Sequence, residues 1–229
     1  MKKVFILHGW TQSLDKWENV VRALKNEGLG GVLLKIPGLT SPIDRVWNID
    51  DYVSWLSKEL DAERGKVILL GHSNGGRISI TYAKVHPQKI EKLILVDSAG
   101  VHHNELSIRL KKFLFGKAAQ YGKKITSSIA MRKLLYRIAR TKDYSDADLL
   151  LKKTLINLWD SDKKKNYEKI NIPTFIIWGE NDSTTPIKDA RIINKAIENS
   201  SLFVISGARH APQFTNTKEF VGIVKKILN

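Results

Sequence analysis

The sequence predicts an α/β protein with about six parallel strands flanked by helices. Short runs that are apolar at nearly every position alternate with longer amphipathic stretches through the first hundred residues, and the alternation resumes after residue 169. Such runs are strands buried on both faces, and an intervening helix is how parallel neighbours are joined. The composition agrees: 229 residues, 42% hydrophobic and 27% charged, point to one large domain, or one domain carrying a sizeable insertion, in preference to two independent ones.

In order, residues 4–7 form the first apolar run. Two lysines precede it, as in a secretory leader, but the run is too short and no small-residue cleavage site follows a longer apolar stretch, so it reads as a strand. Residues 14–26 read as a helix, 32–36 as a strand and 49–64 as a helix. Residues 67–70 are a third strand, 77–85 a helix and 93–96 a fourth strand. Later come a strand at 174–178, a helix at 187–198, a strand at 202–205 and a helix at 214–228. There is no internal repeat.

Between these halves, residues 101–169 break the alternation. Met131, Leu134, Leu135 and Ile138, then Leu151, Leu155, Leu158 and Trp159, keep helical apolar spacing with Lys and Arg between them. The expected organisation is therefore a core in two parts, 1–100 and 170–229, with 101–169 as a helical lid insertion over the C-terminal ends of the strands. Open α/β sheets bind ligands at that edge. Phe113, Phe115, Met131 and Trp159 are candidates for an apolar pocket there.

Charge is concentrated in the same block. The formal net charge is +15, and residues 101–169 hold 17 Lys/Arg against 7 Asp/Glu, so ten of the fifteen excess charges lie there. Lysines on outer helix faces keep such helices soluble, and they also attract acidic partners. No recognised motif or stacking-aromatic platform accompanies the charge, so nucleic acid is not expected. No apolar stretch reaches the roughly 18 residues that span a bilayer. The absence of cysteine rules out disulfide and thiolate chemistry and sulfur-based metal sites, in keeping with an expected cytoplasmic location.

The chemistry centres on Gly71-His72-Ser73-Asn74-Gly75-Gly76, between the third strand and the following helix. A reversal that sharp strains the serine backbone, and side chains two residues before and after it would strike neighbouring backbone; glycine at both positions avoids this, and Gly76 lets the helix approach closely. The turn presents Ser73 at a helix N-terminus, where the dipole favours developing negative charge. A serine hydroxyl needs a base, and the base an orienting acid. His210 follows the last strand, and Asp182 follows the strand before it. All three then meet at one sheet edge in the order Ser, Asp, His.

With these motifs the sequence resembles the α/β-hydrolase superfamily, specifically its carboxylesterase-like serine hydrolases with a helical lid. The resemblance implies Ser73 as nucleophile, Asp182 as acid and His210 as base. It extends to His8-Gly9-Trp10, which matches the loop after the family's corresponding strand and implies that the backbone amides of Trp10 and Asn74 form the oxyanion hole. Many members begin with two further strands, so this chain looks like a trimmed version of the fold. The implied activity is cleavage of small to medium carboxylic esters through an acyl-enzyme, with no cofactor. Serine at the elbow disfavours the dehalogenases and epoxide hydrolases that use aspartate there. Thioesters, peptides, lipids and carbon-carbon bonds share the serine chemistry. Two alternatives stand beside the simple esterase: a hydrolase acting on acyl esters or thioesters of an acidic carrier protein, or resting on an anionic surface, through the basic lid; and a ligand-binding module on the same fold.

Other residues have blander expectations. Asp97 ends the fourth strand and is the runner-up acid, with loop hydrogen bonding its expected role. Glu180 stands two residues from Asp182. His72 is a packed neighbour of the elbow, His8 shapes the oxyanion loop by hydrogen bonding, and His86 closes a helix before Pro87. His102 and His103 open the lid, and exposure is the expectation for both.

Overall fold

The computed structural model describes residues 2–11, 13–102, 149–164 and 166–229. Much of the proposed lid, residues 103–148 with His103, Phe113, Phe115, Met131, Leu134, Leu135 and Ile138, lies outside the described residues.

The first half runs β1 (Lys3–Leu7), α1 (Asp15–Asn26), β2 (Gly30–Leu33), α2 (Ile49–Leu60), β3 (Val67–His72), α3 (Asn74–Val85) and β4 (Ile90–Val96). The second runs α4 (Leu149–Ser161), two short 3-10 turns at Asp162–Lys164 and Tyr167–Lys169, β5 (Thr174–Gly179), α5 (Ile187–Ala196), β6 (Ser200–Ile205), α6 (Pro212–Thr215) and α7 (Thr217–Leu228). Six strands form one sheet in the order β2-β1-β3-β4-β5-β6, and every pairing is parallel. Among the described residues no helix is long and apolar enough to cross a membrane.

Alternation along the strands divides the core in two. Phe5, Leu7, Leu69, Leu93, Leu95, Ile176 and Trp178 face one side, where Tyr52, Val53, Leu56 and Leu60 of α2, Ile78 of α3 and Ile193 of α5 cover them. Val4, Ile6, Ile68, Leu70, Ile94, Val96 and Ile177 face the other, under Trp17, Val20 and Leu24 of α1 and Phe220, Val221 and Val224 of α7. Each fully buried side chain of this kind contributes about 1.5–3 kcal/mol relative to exposure. Strands apolar at every position follow directly, since both faces are covered. Asn48 starts α2 with a capping box: its Oδ1 accepts the N–H groups of Asp50 and Asp51, and Asp51 returns a bond to the Asn48 N–H.

Several boundaries differ from expectation: the second helix ends at Leu60, the third begins at Asn74 and the fourth strand begins at Ile90, and two further differences have a local cause. The second strand is Gly30–Leu33 instead of 32–36, because β1 pairs from Lys3↔Gly30 to Ile6↔Leu33 and the chain then turns. In that turn the Ile36 N–H bonds the Thr40 hydroxyl, while the Ile36 carbonyl accepts from Leu39, Thr40 and Ser41. The final helix is split at Asn216, whose φ of −126° and ψ of 42° are not helical, into α6 and α7.

Candidate active site

The elbow is a single residue. β3 ends at His72 and α3 starts at Asn74, so Ser73 makes the turn, with φ 51° and ψ −116°. A non-glycine residue held there costs on the order of 1–3 kcal/mol, which the surroundings must over-determine. They do so from both sides: the Ser73 N–H donates to the Val96 carbonyl at 3.0 Å, and the Ser73 carbonyl accepts from Arg77 and Ala99. The glycines are obligatory. A Cβ on Gly71 would lie 2.7 Å from the Gly75 carbonyl oxygen, and one on Gly75 would lie 2.1 Å from that of Leu7. On Gly76 it would meet Ser98 Oγ at 2.1 Å. The close approach expected at Gly76 is thus to the loop after β4.

Three distant residues converge at this edge. His210 Nε2 lies 3.0 Å from Ser73 Oγ, and its Nδ1 lies 2.8 Å from Asp182 Oδ2. With Nδ1–H donating to the carboxylate, Nε2 is the acceptor facing the Ser73 hydroxyl. Asp182 is saturated with donors: Oδ1 accepts the N–H groups of Thr184 and Thr185, and Oδ2 accepts the Thr185 hydroxyl at 2.7 Å besides His210. Burial pushes the Asp182 pKa upward, but the bond from His210, the charge on that ring, the Thr185 hydroxyl and the Thr184 N–H together hold it below the ordinary carboxylate value. Asp182 is therefore the carboxylate in contact with the imidazole, and Thr185 is a residue that sequence reasoning missed. Its one sequence signal is a hydroxyl three residues after the acid, ahead of Pro186.

Asp97 and Glu180 do other things. The Asp97 carboxyl is 0% exposed, its Oδ1 accepts the Gly179 N–H at 2.8 Å, and its backbone carbonyl oxygen lies 3.1 Å from Thr185 Oγ1. Burial pushes the Asp97 pKa up to about 9, against the Gly179 N–H and with help from nearby Asp182, so this carboxyl is protonated at neutral pH. Glu180 binds the Ser206 hydroxyl and the Gly207 N–H at the surface. The expected loop role of Asp97 is what the geometry displays.

His72 donates Nε2–H to the His210 carbonyl at 2.9 Å and packs against Trp17, Phe214 and the His210 ring. Burial, reinforced by neighbouring His210, lowers the His72 pKa to about 3, so it is a neutral brace. Donor atoms of His72, Asp97 and His210 lie within 4.8 Å of one another. They do not suit a cation: both His210 nitrogens are engaged, by Asp182 and Ser73, and Asp97 keeps its proton.

The loop after β1 abuts the elbow. A Cβ on Gly9 would lie 2.8 Å from His72 Nδ1 and 3.1 Å from Ser73 Cβ. Buried His8 fixes the loop: Nδ1–H donates to the Gly9 carbonyl at 2.7 Å, leaving Nε2 to accept the Thr40 hydroxyl at 2.9 Å. Burial lowers the His8 pKa, in keeping with a neutral ring. Trp10 is half-buried against the core on the α2–α3 face. This loop and the N-terminus of α3, where Asn74 is the first residue, therefore flank Ser73.

The remaining described histidines stand apart. His86 Nε2 lies 3.3 Å from Ser57 Oγ at the end of α3, and His102 is exposed. In α4, Leu151, Leu155 and Leu158 are buried and Trp159 is half-buried.

Comparison with known proteins places this geometry in context. Residues 1–215 match the family model described as serine aminopeptidase, S33 (Hydrolase_4). A Mycoplasma genitalium protein carrying the name esterase/lipase 2 is 32% identical over 251 residues, covering 100% of this chain and 90% of the relative. The pimeloyl-[acyl-carrier protein] methyl ester esterase of Neisseria meningitidis serogroup B is 22% identical over 241 residues, covering 98% and 92%. Among solved structures, MenH from S. aureus superposes with a TM-score of 0.75 at 19% identity, covering 99% of this chain and 93% of that one.

Proposed function

Because this chain belongs to the serine aminopeptidase S33 (Hydrolase_4) family of α/β-hydrolases, we propose that it is a serine esterase cleaving small to medium carboxylic esters through an acyl-enzyme. The observation that carries this reading is the unbroken hydrogen-bond chain from Asp182 through His210 to Ser73.

In the first half-reaction, Ser73 Oγ attacks the ester carbonyl carbon while His210 Nε2 takes the hydroxyl proton. The carbonyl oxygen becomes an oxyanion, held by the backbone amides of Trp10 and Asn74. Asp182 stabilises the imidazolium and keeps its tautomer. Collapse of the tetrahedral adduct breaks the bond to the alcohol, which leaves with the proton from His210. Water then attacks the acyl-enzyme, giving its proton to His210, and the second collapse releases the acid and returns the proton to Ser73. Loss of one oxyanion donor of this type costs about 10²–10³ in rate.

Fluorophosphonate labelling and p-nitrophenyl ester turnover test the proposal. The wild type is expected to be labelled at Ser73 and to turn over, and Ser73→Ala to lose both. Equal inertness of wild type and Ser73→Ala across acyl lengths, with a ligand still raising the melting temperature, would instead make the protein a binding module.

A second reading has its own support. The Neisseria relative is named for an ester of an acyl-carrier protein, and residues 101–169 here carry most of the excess positive charge. A carrier-linked acyl ester or thioester would then be the substrate, drawn in by an acidic partner surface.

A further inference from the structure

One buried charged cluster takes no part in the chemistry above. Arg77, in the first turn of α3, is 4% exposed and donates through Nε and Nη2 to the two oxygens of Asp162, each at 2.8 Å. Asp162 is 8% exposed and opens the 3-10 turn that follows α4. The third arm, Nη1, donates at 2.6 Å to Oδ1 of Asn74, the residue after the nucleophile, which is itself 3% exposed. Asn74 Nδ2 has no hydrogen-bond partner among the described residues.

As a stability device this cluster is poorly chosen. Desolvating two ions costs as much as their attraction returns, and apolar pairs of similar volume are commonly as stable or more so. Its geometry has another effect. Ser73 is strained, and the simplest relief is rotation of the peptide plane joining Ser73 to Asn74. Such a rotation turns the Asn74 N–H to a new direction. A guanidinium anchored on Asp162 and gripping the Asn74 side chain opposes it, because moving Asn74 breaks a charge-assisted bond where no water can replace it.

We propose that Arg77 and Asp162 are positioning residues that hold the Ser73–Asn74 peptide in its strained setting and so keep the Asn74 amide aimed at the developing oxyanion. The proposal rests on the serine-hydrolase reading above. In it the described segment after α4 contributes a side chain to the elbow without touching substrate.

Two variants test it, each measured for kcat, KM and melting temperature on p-nitrophenyl butyrate. Asn74→Ala leaves the Arg77–Asp162 pair in place; kcat is expected to fall about tenfold with KM within about twofold, since only transition-state binding is lost. Arg77→Met/Asp162→Leu replaces the ion pair by apolar groups and is expected to melt at or above the wild-type temperature while kcat stays about tenfold low. A purely structural role predicts that kcat recovers with the melting temperature in the double variant, and that result overturns the proposal. So does wild-type kcat in Asn74→Ala, which decides the matter if the double variant does not fold, and so does an effect confined to KM. Absence of fluorophosphonate labelling at wild-type Ser73 overturns the hydrolase reading and this proposal with it; normal labelling with wild-type kcat in Asn74→Ala overturns this proposal alone.

Discussion

The Thr185 hydroxyl has one hydrogen and three neighbours: Asp182 Oδ2 at 2.7 Å, the Asp97 carbonyl at 3.1 Å and His210 Nδ1 at 3.2 Å. The carboxylate, nearest and charged, takes it. Thr185→Val keeps the shape and removes that bond, and a charge-assisted hydrogen bond contributes about 1.5–3 kcal/mol. Steady-state kinetics on a chromogenic ester should show kcat lowered about tenfold with KM little changed; wild-type kcat would refute the assignment. Asp97 carries a different prediction. Its unfolded carboxyl ionises near 3.8 and the folded one near 9. Across that window the folded state holds a proton that the unfolded state has released, so stability falls as pH rises. Asp97→Asn retains the acceptor for Gly179 and removes this dependence. Calorimetry should find its melting temperature flatter from about pH 5 to 9 and higher at about pH 8, by about 2–4 °C for each kcal/mol gained. An equal slope in both proteins would count against a protonated Asp97. At this scale Ser73, Asp182 and His210 were legible as a constellation because the chemistry demands those residue types just beyond the ends of strands in one sheet. Thr185 was not, since a threonine in a loop carries no such demand, and the pairing of Arg77 with Asp162 spans 85 positions with no motif to announce it.

Among the elements, the turn from β3 into α3 is the most constrained. Leu7 presents its carbonyl 2.1 Å from where a Gly75 Cβ would stand, and backbone at the end of a buried interior strand cannot yield as a flexible side chain can. Gly75→Ala should therefore abolish fluorophosphonate labelling, and circular dichroism should show either loss of the folded state or a fold with the elbow displaced; a folded, fully labelled variant would show that the turn adapts. The interior strands were readable because burial on both faces leaves an uninterrupted apolar run. The edge strand was misplaced for the converse reason. β2 is half-buried along its whole length and begins with Gly30 and Gly31, so its apolar run, trailing into the turn at Ile36, pointed too far along the chain. The last helix looked continuous because apolar spacing persists across Asn216, whereas the break is set by backbone geometry.

At the scale of the whole molecule, charge and topology act together. Exposed charges attract over roughly the Debye length, about 10 Å at 0.1 M salt and about 3 Å at 1 M. If residues 101–169 recruit an acidic carrier, kcat/KM for a carrier-linked ester should fall at least about tenfold between about 0.05 and 0.5 M salt, while a free ester stays within about twofold. Parallel salt responses would remove the carrier reading. The overall architecture was legible from the alternation of runs, but the strand order was not, since the order of neighbours depends on which helix covers which face. That order sets Ser73 and His210 on unequal foundations. β3 lies inside the sheet between β1 and β4, whereas β6, from which His210 follows, is bonded among the described residues to β5 alone. Under mild denaturant a sheet margin frays before the interior does, so the proposed esterolysis should fade while most of the tertiary structure survives: His210 would leave its place before the protein loses its shape.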